Sequence, residues 1–246
     1  GGHRLVLDFL IEEVLGQQSE KIQDFLLRTS ILNRLNGSLC DAVTGYEGSQ
    51  QTLEYLEQAN LFIVPLDEEH RWYRYHHLFA DLLRQRLRWE RPELVPELHG
   101  RASVWFENQG LLEEAIAHAL AAGDPDRAAD IVERHRIETF DADRWSSAGR
   151  WLEMLPDEIR RQRPALILCE GWIAYIQLQI DQFPAIIKRC GTAAGTRALD
   201  ESLQAELDFF RGNLDYWMGD AEASRQKIEA SLDKVGDRRC NIEGEM

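Results

Sequence analysis

The residue types able to do chemistry in this chain are a histidine pair, a run of arginines and several tryptophans in helical context. His118 and His135 stand alone, without an HxxxH, HExxH or carboxylate–histidine spacing that would complete a metal site. The sequence has neither a GxSxG elbow nor an SxxK pattern for a nucleophile, and no GxxxxGK[ST] loop for phosphates. It therefore predicts regulation or binding rather than catalysis, with no metal site and no cofactor held by this chain.

His76 and His77 lie where an aromatic strand pattern gives way to a helical one. The N-terminus of a helix presents unpaired N–H groups and a partial positive charge, so an anion is favoured there. Two interpretations stay open at this point. Either the imidazoles contact an anionic ligand, or one ring packs in the core while the other caps the helix, which is the preferred interpretation.

Arginines are concentrated between residues 71 and 91, where six of them accompany only two acidic residues in an acidic chain. Arg71, Arg74 and Arg84 are the candidates for docking onto a neighbouring domain or onto phosphates. The same composition also fits a solvated helix face with arginines near its C-terminal end, where cations are stabilised. The second interpretation is preferred.

Tryptophans recur through the helical part of the chain, and Trp145, Trp172 and Trp217 are the candidates for lining a ligand groove. An indole ring on a concave surface can stack on a sugar or on another flat ligand. Trp145 is the best of the three because it is least embedded in a helical pattern. The competing interpretation, which is preferred for tryptophans at helical spacing, is inter-helix core.

Size and composition restrict the class of protein further. The chain has 246 residues, of which 44% are hydrophobic and 29% charged, so it can bury a real core. A formal net charge of −15 repels phosphate backbones, which argues against direct DNA or RNA binding. The four cysteines are far apart, and no apolar run approaches the roughly 20 residues that a membrane span needs. We therefore expect a soluble, cytoplasmic protein without a membrane partner.

The first part of the chain predicts short helices. Helical spacing begins after Ser19, after Asn36-Gly37 and near Ser49, and Ser19 is a plausible N-cap. Gly45 is placed to end the second helix in a left-handed conformation.

A β-hairpin follows these helices. Residues 61–66 and 71–75 are rich in β-branched and aromatic side chains and flank a polar turn. Pro65 cannot donate to a ladder, which predicts an edge strand. A further helical stretch then completes the order of a winged-helix domain, which we predict over residues 1–91.

Beyond residue 91 the pattern is helical, and no strand is predicted. Leu207, Phe210 and Trp217 belong to the clearest apolar helix face. Turns at Asp124, Asp181 and Asp220 are expected at equivalent points of three helix pairs, close to the roughly 34–40-residue period of helical repeats. The predicted fold class is mainly α: a winged-helix module with one β-hairpin, followed by an α-solenoid of tetratricopeptide-like helix pairs over 92–246, truncated at its end.

Several stretches resemble the MalT-like regulators, the large ATP-binding LuxR subfamily of STAND-class proteins. The strongest is WYRYHHLFADLL at 72–83, and the likeness is close up to about residue 160. A run this long and ordered is more specific than a single short motif. The other stretches are 24–32, 39–45, 59–67, 110–120 and 151–156.

This resemblance implies a switch controlled by ATP and ADP in a longer protein, of which the chain is an internal fragment. Such regulators carry an N-terminal ATPase domain, a winged helix, a repeat-built sensor and a C-terminal helix-turn-helix. A winged-helix histidine contacts the nucleotide phosphate in related switches, which makes His76 and His77 the nucleotide-contact candidates. The expected partners are a small-molecule inducer or regulatory protein, the ATPase domain of the same chain, and further copies in the active state. DNA is expected only through a C-terminal domain outside this chain.

The expected function is the regulatory and sensor portion of an ATP-dependent LuxR-type transcriptional activator. Inducer or protein binding on the repeats would be coupled to the nucleotide switch. The main alternative is a stand-alone helical-repeat scaffold for protein interaction, and a second is a hydrolase that uses the winged-helix histidines.

Overall fold

The computed structural model describes residues 15–195 and 198–235, and these form two compact units. Unit 1 reaches to Gly123 and unit 2 starts at Asp124. Strand within the described residues is confined to one two-stranded hairpin, and α-helices make up most of the remainder. The prediction of a mainly α protein with a single hairpin is therefore confirmed.

Unit 1 contains three short helices before the hairpin, and Ser19 and Gly45 cap two of them as predicted. The Ser19 hydroxyl accepts from the N–H of Ile22 at 3.4 Å. The Asn36 side chain accepts from the N–H of Leu39 at 2.7 Å. Gly45 ends the second helix with φ of 78°, a conformation in which glycine carries no steric cost. The helices are α1 (Glu20–Thr29), α2 (Gly37–Thr44) and α3 (Ser49–Gln58).

The hairpin consists of β1 (Ile63–Pro65) and β2 (Tyr73–Tyr75), paired antiparallel with Pro65 opposite Tyr73. On its other side, β2 exchanges two backbone hydrogen bonds of 2.8 Å with Leu35. Within the described residues β1 is thus an edge strand, as Pro65 predicts. Both strands are shorter than the pattern predicts, and Phe62 adopts φ of 55° just before β1.

Helix α4 (His77–Glu90) closes the winged helix. Its inward face carries Phe79, Ala80, Leu83 and Leu87, all buried at the spacing of an amphipathic helix. Three helices, a hairpin and this closing helix give the predicted element order.

A helix pair completes unit 1: α5 (Leu94–Asn108) and α6 (Leu112–Ala121). Helix α5 packs against α2, and the Arg101 guanidinium donates to the Val43 carbonyl at 3.2 Å. The compact unit therefore extends beyond residue 91, where the sequence places the domain boundary. That boundary, between domains over 1–91 and 92–246, stays a prediction.

Unit 2 is built from helices, and its pairs are α7–α8, α10–α11 and α12–α13. Asp181 and Asp220 lie at turns inside such pairs, whereas Asp124 caps the first helix of one. The expected equivalence of the three turns is therefore wrong, since α8 supplies the partner that the sequence analysis did not count as one. The helices are α7 (Pro125–Asp141), α8 (Trp145–Met154), α9 (Asp157–Gln162), α10 (Pro164–Ile176), α11 (Phe183–Ala194), α12 (Glu201–Trp217) and α13 (Ala221–Val235), with a 3₁₀ turn at Ile180–Gln182.

The core of unit 2 contains an ion pair. Arg136 and Glu206, which are 4% and 2% exposed, form two hydrogen bonds of 2.7 and 2.5 Å. The Trp172 indole N–H donates to the same carboxylate at 2.8 Å, and its ring stacks on Phe209 with centroids 4.9 Å apart. Burial opposes the charged form of Arg136, but the hydrogen bonds and charge of Glu206 raise its pKa. The charge is thus held by its partners.

Candidate functional site

The histidine pair lies at the surface of the winged helix. His76 precedes the first residue of α4, neither side chain is buried, and the ring centroids are 4.5 Å apart. The alternative of one ring in the core and the other as a cap is wrong. Tyr73 and Tyr75 take the inward positions of β2, and the buried stripe of α4 starts at Phe79. Both imidazoles therefore face solvent beside the helix N-terminus, where they are accessible to an anion.

The three docking candidates differ in their surroundings. Arg71 is exposed in the hairpin turn and pairs with Glu69 at 2.6 Å, and Arg74 lies on the outward face of β2. Arg84 instead donates from Nε to the Ser30 carbonyl at 2.8 Å, at the C-terminal end of α1. A cation at that end of a helix is stabilised by the helix dipole. Arg84 thus serves unit 1 itself, while Arg71 and Arg74 remain on its surface.

A contact that the sequence analysis missed links the hairpin to the helix pair of unit 1. The Arg34 guanidinium donates to Glu114 at 2.6 Å and lies 4.7 Å from the centroid of the Trp72 ring. The rings of Trp72 and Trp105 pack edge to face, with their centroids 6.4 Å apart. A cation stacked on an indole and paired with a carboxylate couples three segments that are far apart in sequence. No local spacing signals such a contact.

The tryptophan candidates are not brought together. Trp145 is half-buried and lines a cavity of about 450 Å³ in unit 2. Trp172 is only 3% exposed and belongs to the core, as the competing interpretation holds, so a surface ligand does not reach its ring. Trp217 is 61% exposed at the end of α12, where it meets only the edge of Tyr216 among aromatic rings of the described residues. Of the three candidates, Trp145 is the one that lines this cavity of the described residues.

The cavity beside Trp145 combines an aromatic wall with polar groups. Gln177, Gln179 and Gln182 supply amides, and Glu170 supplies a carboxylate held by Arg189 at 2.7 Å. One ring, several amides and fixed charges suit a polar organic ligand better than an apolar one. The cavity is therefore a candidate site for a small molecule in unit 2.

Thiol and metal chemistry find no support in the described part of the chain. Cys40, Cys169 and Cys190 are buried and unpaired, and burial raises the pKa of the Cys190 thiol to about 11. A thiol with so high a pKa is a poor nucleophile at neutral pH. Over the same residues there is no group of three metal-ligating side chains, and no helix has the length and apolar character to cross a membrane. Cys240 lies outside the described residues.

The class of protein follows from the fold together with two comparisons. Residues 11–95 match the family model described as the MalT winged helix domain. Among solved structures, the chain resembles a STAND protein with a tetratricopeptide repeat sensor from Pyrococcus horikoshii, with a TM-score of 0.63 and 17% identity. That match covers 93% of this chain and 34% of the other, and at this identity it concerns the fold. The chain is a winged-helix module followed by tetratricopeptide-like helix pairs.

Curated relatives give the particular family. The chain is 36% identical over 227 residues to an HTH-type transcriptional regulator MalT of Yersinia enterocolitica, which is 92% of this chain and 25% of the relative. It is 36% identical over 209 residues to the regulator of the same name from Yersinia pestis. The chain belongs to the MalT-like regulators, and it spans about a quarter of the length of these relatives.

Proposed function

We propose that this chain is the regulatory and sensor portion of an ATP-dependent MalT-like transcriptional activator. The observation that carries the proposal is a MalT winged helix followed by tetratricopeptide-like helix pairs, in a chain 36% identical to MalT over 92% of its length. ATP hydrolysis and DNA binding are assigned to other parts of the longer protein. The chain itself passes a signal between them in the cytoplasm and performs no catalysis.

The winged helix is proposed to report the nucleotide state of the neighbouring ATPase domain. His76 and His77 are accessible beside a helix N-terminus, where an anionic phosphate is stabilised. Arg71 and Arg74 project from the same hairpin and are available for docking onto that domain. Arg84 is assigned a smaller part in this docking, because its Nε and Nη2 already donate to Ser30 and Asn33 within unit 1.

The helix pairs of unit 2 are proposed to receive the signal. The cavity beside Trp145 has the size and mixed lining of a small-molecule site, and the exposed Trp217 offers a second surface for a regulatory protein. An inducer that binds the open form more tightly shifts the population away from the closed, ADP-bound form and permits self-association.

Nucleotide contact is tested in the full-length protein with a fluorescent ADP analogue. The double substitution His76→Ala and His77→Ala should weaken ADP binding by about tenfold, the value of one lost charge-assisted contact. His70→Ala is the matched control, since that histidine is exposed in the hairpin turn and pairs with Glu57 at 2.8 Å. Equal ADP affinity in the double variant and the native protein would remove the nucleotide role.

The stand-alone scaffold makes a different prediction for assembly. Sedimentation of the full-length protein with ATP or with ADP should show larger assemblies with ATP if the chain serves a nucleotide switch. A distribution that is the same with both nucleotides would favour the scaffold.

A further inference from the structure

Unit 1 contains a cavity that is not lined by His76 or His77. It has a volume of about 280 Å³ and lies between the loop after α1 and helices α4, α5 and α6. Its polar lining is Asn33, Arg84, Arg88 and His99, and its remaining lining is apolar. No carboxylate lines it, in a chain where acidic residues outnumber basic ones by 43 to 28. The cavity is therefore a basic site in an acidic protein.

The arginines of this cavity are not neutralised as arginines elsewhere are. In unit 2 a cavity is lined by Arg160 and Arg189, but the carboxylate of Glu170 lies 3.8 Å from one and 2.7 Å from the other. Arg88, by contrast, has no carboxylate oxygen within 4.0 Å among the described residues. The nearest carboxylate to Arg84 is the exposed Asp81, at 3.5 Å. Within the described residues, Arg88 is thus left without a carboxylate partner, and Arg84 has only this exposed one.

The geometry holds these groups in place. Arg84 donates to the Ser30 carbonyl at 2.8 Å and to the Asn33 side chain at 3.0 Å, so its guanidinium is fixed against the wall. Arg88 lies one helical turn further along α4 and therefore on the same face. A planar guanidinium presents N–H donors side by side, and these fit the oxygens of a phosphate group. Two arginines on one face of a helix therefore suit a phosphoryl dianion.

His99 supports the same conclusion from its electrostatics. Its Nδ1 lies 2.8 Å from Nδ1 of His118. Burial and the positive charges of Arg88 and Arg84 lower the pKa of His99 to about 4, so the ring is neutral at pH 7. A neutral imidazole there can donate or accept one hydrogen bond, while the two arginines carry the charge.

We propose that this cavity binds a small phosphorylated metabolite, with its phosphoryl group between Arg84 and Arg88 and its organic part against Ile31 and Val95. A volume of about 280 Å³ lies just below the roughly 300–1,000 Å³ of drug-sized sites, which restricts the ligand to a few carbon atoms. The site joins the winged helix to the first helix pair within unit 1. A bound phosphate would therefore contact residues of both α4 and α5.

Isothermal titration calorimetry at low ionic strength, with glycerol 3-phosphate as the probe, tests the proposal. We expect saturable binding of glycerol 3-phosphate and none of glycerol. Arg88→Gln should weaken binding by about tenfold or more, because it removes a charge-assisted contact. Arg86→Gln is the matched control: that arginine is on the same helix, pairs with Glu90 at 2.7 Å and does not line this cavity, so affinity should stay within about twofold.

Three results would overturn the proposal. The first is the absence of saturable binding, and the second is an equal loss of affinity in the two variants, which would indicate only the general charge of α4. The third is binding of glycerate as tight as that of glycerol 3-phosphate, which would mark a carboxylate site instead. Circular dichroism and thermal unfolding of Arg88→Gln verify that the variant is folded, as expected for an exposed side chain.

Discussion

The two units differ in whether their buried polar groups carry a charge. Unit 1 keeps them neutral: Tyr75 and Thr29 share a hydrogen bond of 2.7 Å, and His99 and His118 form a neutral pair. Unit 2 instead buries a full ion pair between helices α7 and α12. Removing one partner of a neutral contact leaves an uncharged group unsatisfied, which costs less than a buried charge without its partner. The units should therefore respond differently to comparable substitutions.

The largest effect is expected in unit 2. Glu206→Ala removes the carboxylate that holds Arg136 and leaves that charge unpaired in the core. We expect the free energy of unfolding of unit 2 to fall by about 3–5 kcal/mol. Urea denaturation gives the loss, and amide hydrogen exchange should locate it between α7 and α12.

The control separates charge from packing. The double variant Arg136→Met with Glu206→Leu removes both charges and should regain most of the lost stability, since apolar replacements of buried ion pairs are often neutral. Glu222→Gln, at an exposed ion pair with Arg225, should leave unfolding unchanged. A double variant as unstable as Glu206→Ala would contradict the difference between the units.

A smaller effect is expected for Trp172→Phe. The phenyl ring can still stack on Phe209, but the indole N–H that donates to Glu206 is lost. The lost bond is to a charged acceptor, so we expect about 2 kcal/mol less stability in urea denaturation. No change would mean that the two arginine donors satisfy this carboxylate alone.

The matching substitution in unit 1 should cost less. The Thr29 hydroxyl donates to the Phe25 carbonyl at 2.7 Å, so the Tyr75 hydroxyl must be the donor of the bond between them. Tyr75→Phe removes a neutral donor and leaves no charge behind. We expect a loss of about 1 kcal/mol in the same denaturation experiment. A loss of stability as large as that of Glu206→Ala would show that the two units do not differ in this respect.

The smallest effect at neutral pH is expected for the contact between His99 and His118. Burial lowers the pKa of His99 and of His118 from the ordinary value of 6.5 to about 4. Between pH 6.5 and 4 the unfolded chain therefore binds more protons, and the stability of unit 1 falls as the pH falls. His118→Gln should flatten this dependence in thermal unfolding from pH 7 to pH 4.5. A slope equal to that of the native chain would show that the pair does not titrate as described.

The sequence predicts the local features of unit 1 well. The Ser19 cap, the left-handed Gly45 and the edge position of Pro65 follow from the preferences of single residues or short patterns. Periodicity also separates the hairpin from the helices. The exposure of His76 and His77 does not follow in this way, because it depends on which strand face turns inward.

Contacts between residues far apart in the sequence could not be predicted. The apolar face predicted for α12 includes Trp217, which is exposed, and omits Glu206, which is buried. A carboxylate enters a core only when a partner such as Arg136, in another helix, compensates its charge, and no local pattern reveals that partner. The contact of Arg34 with Trp72 was missed for the same reason.

The packing of the first helix pair also constrains how such a gene can recombine. Arg101 reaches the backbone of α2, and Arg34 reaches Glu114 on α6. A crossover between two homologous genes near residue 91 would combine winged helices and helix pairs that have not evolved together. A crossover near residue 123 keeps these contacts within one parental sequence. Functional chimaeras should therefore accumulate at the second position.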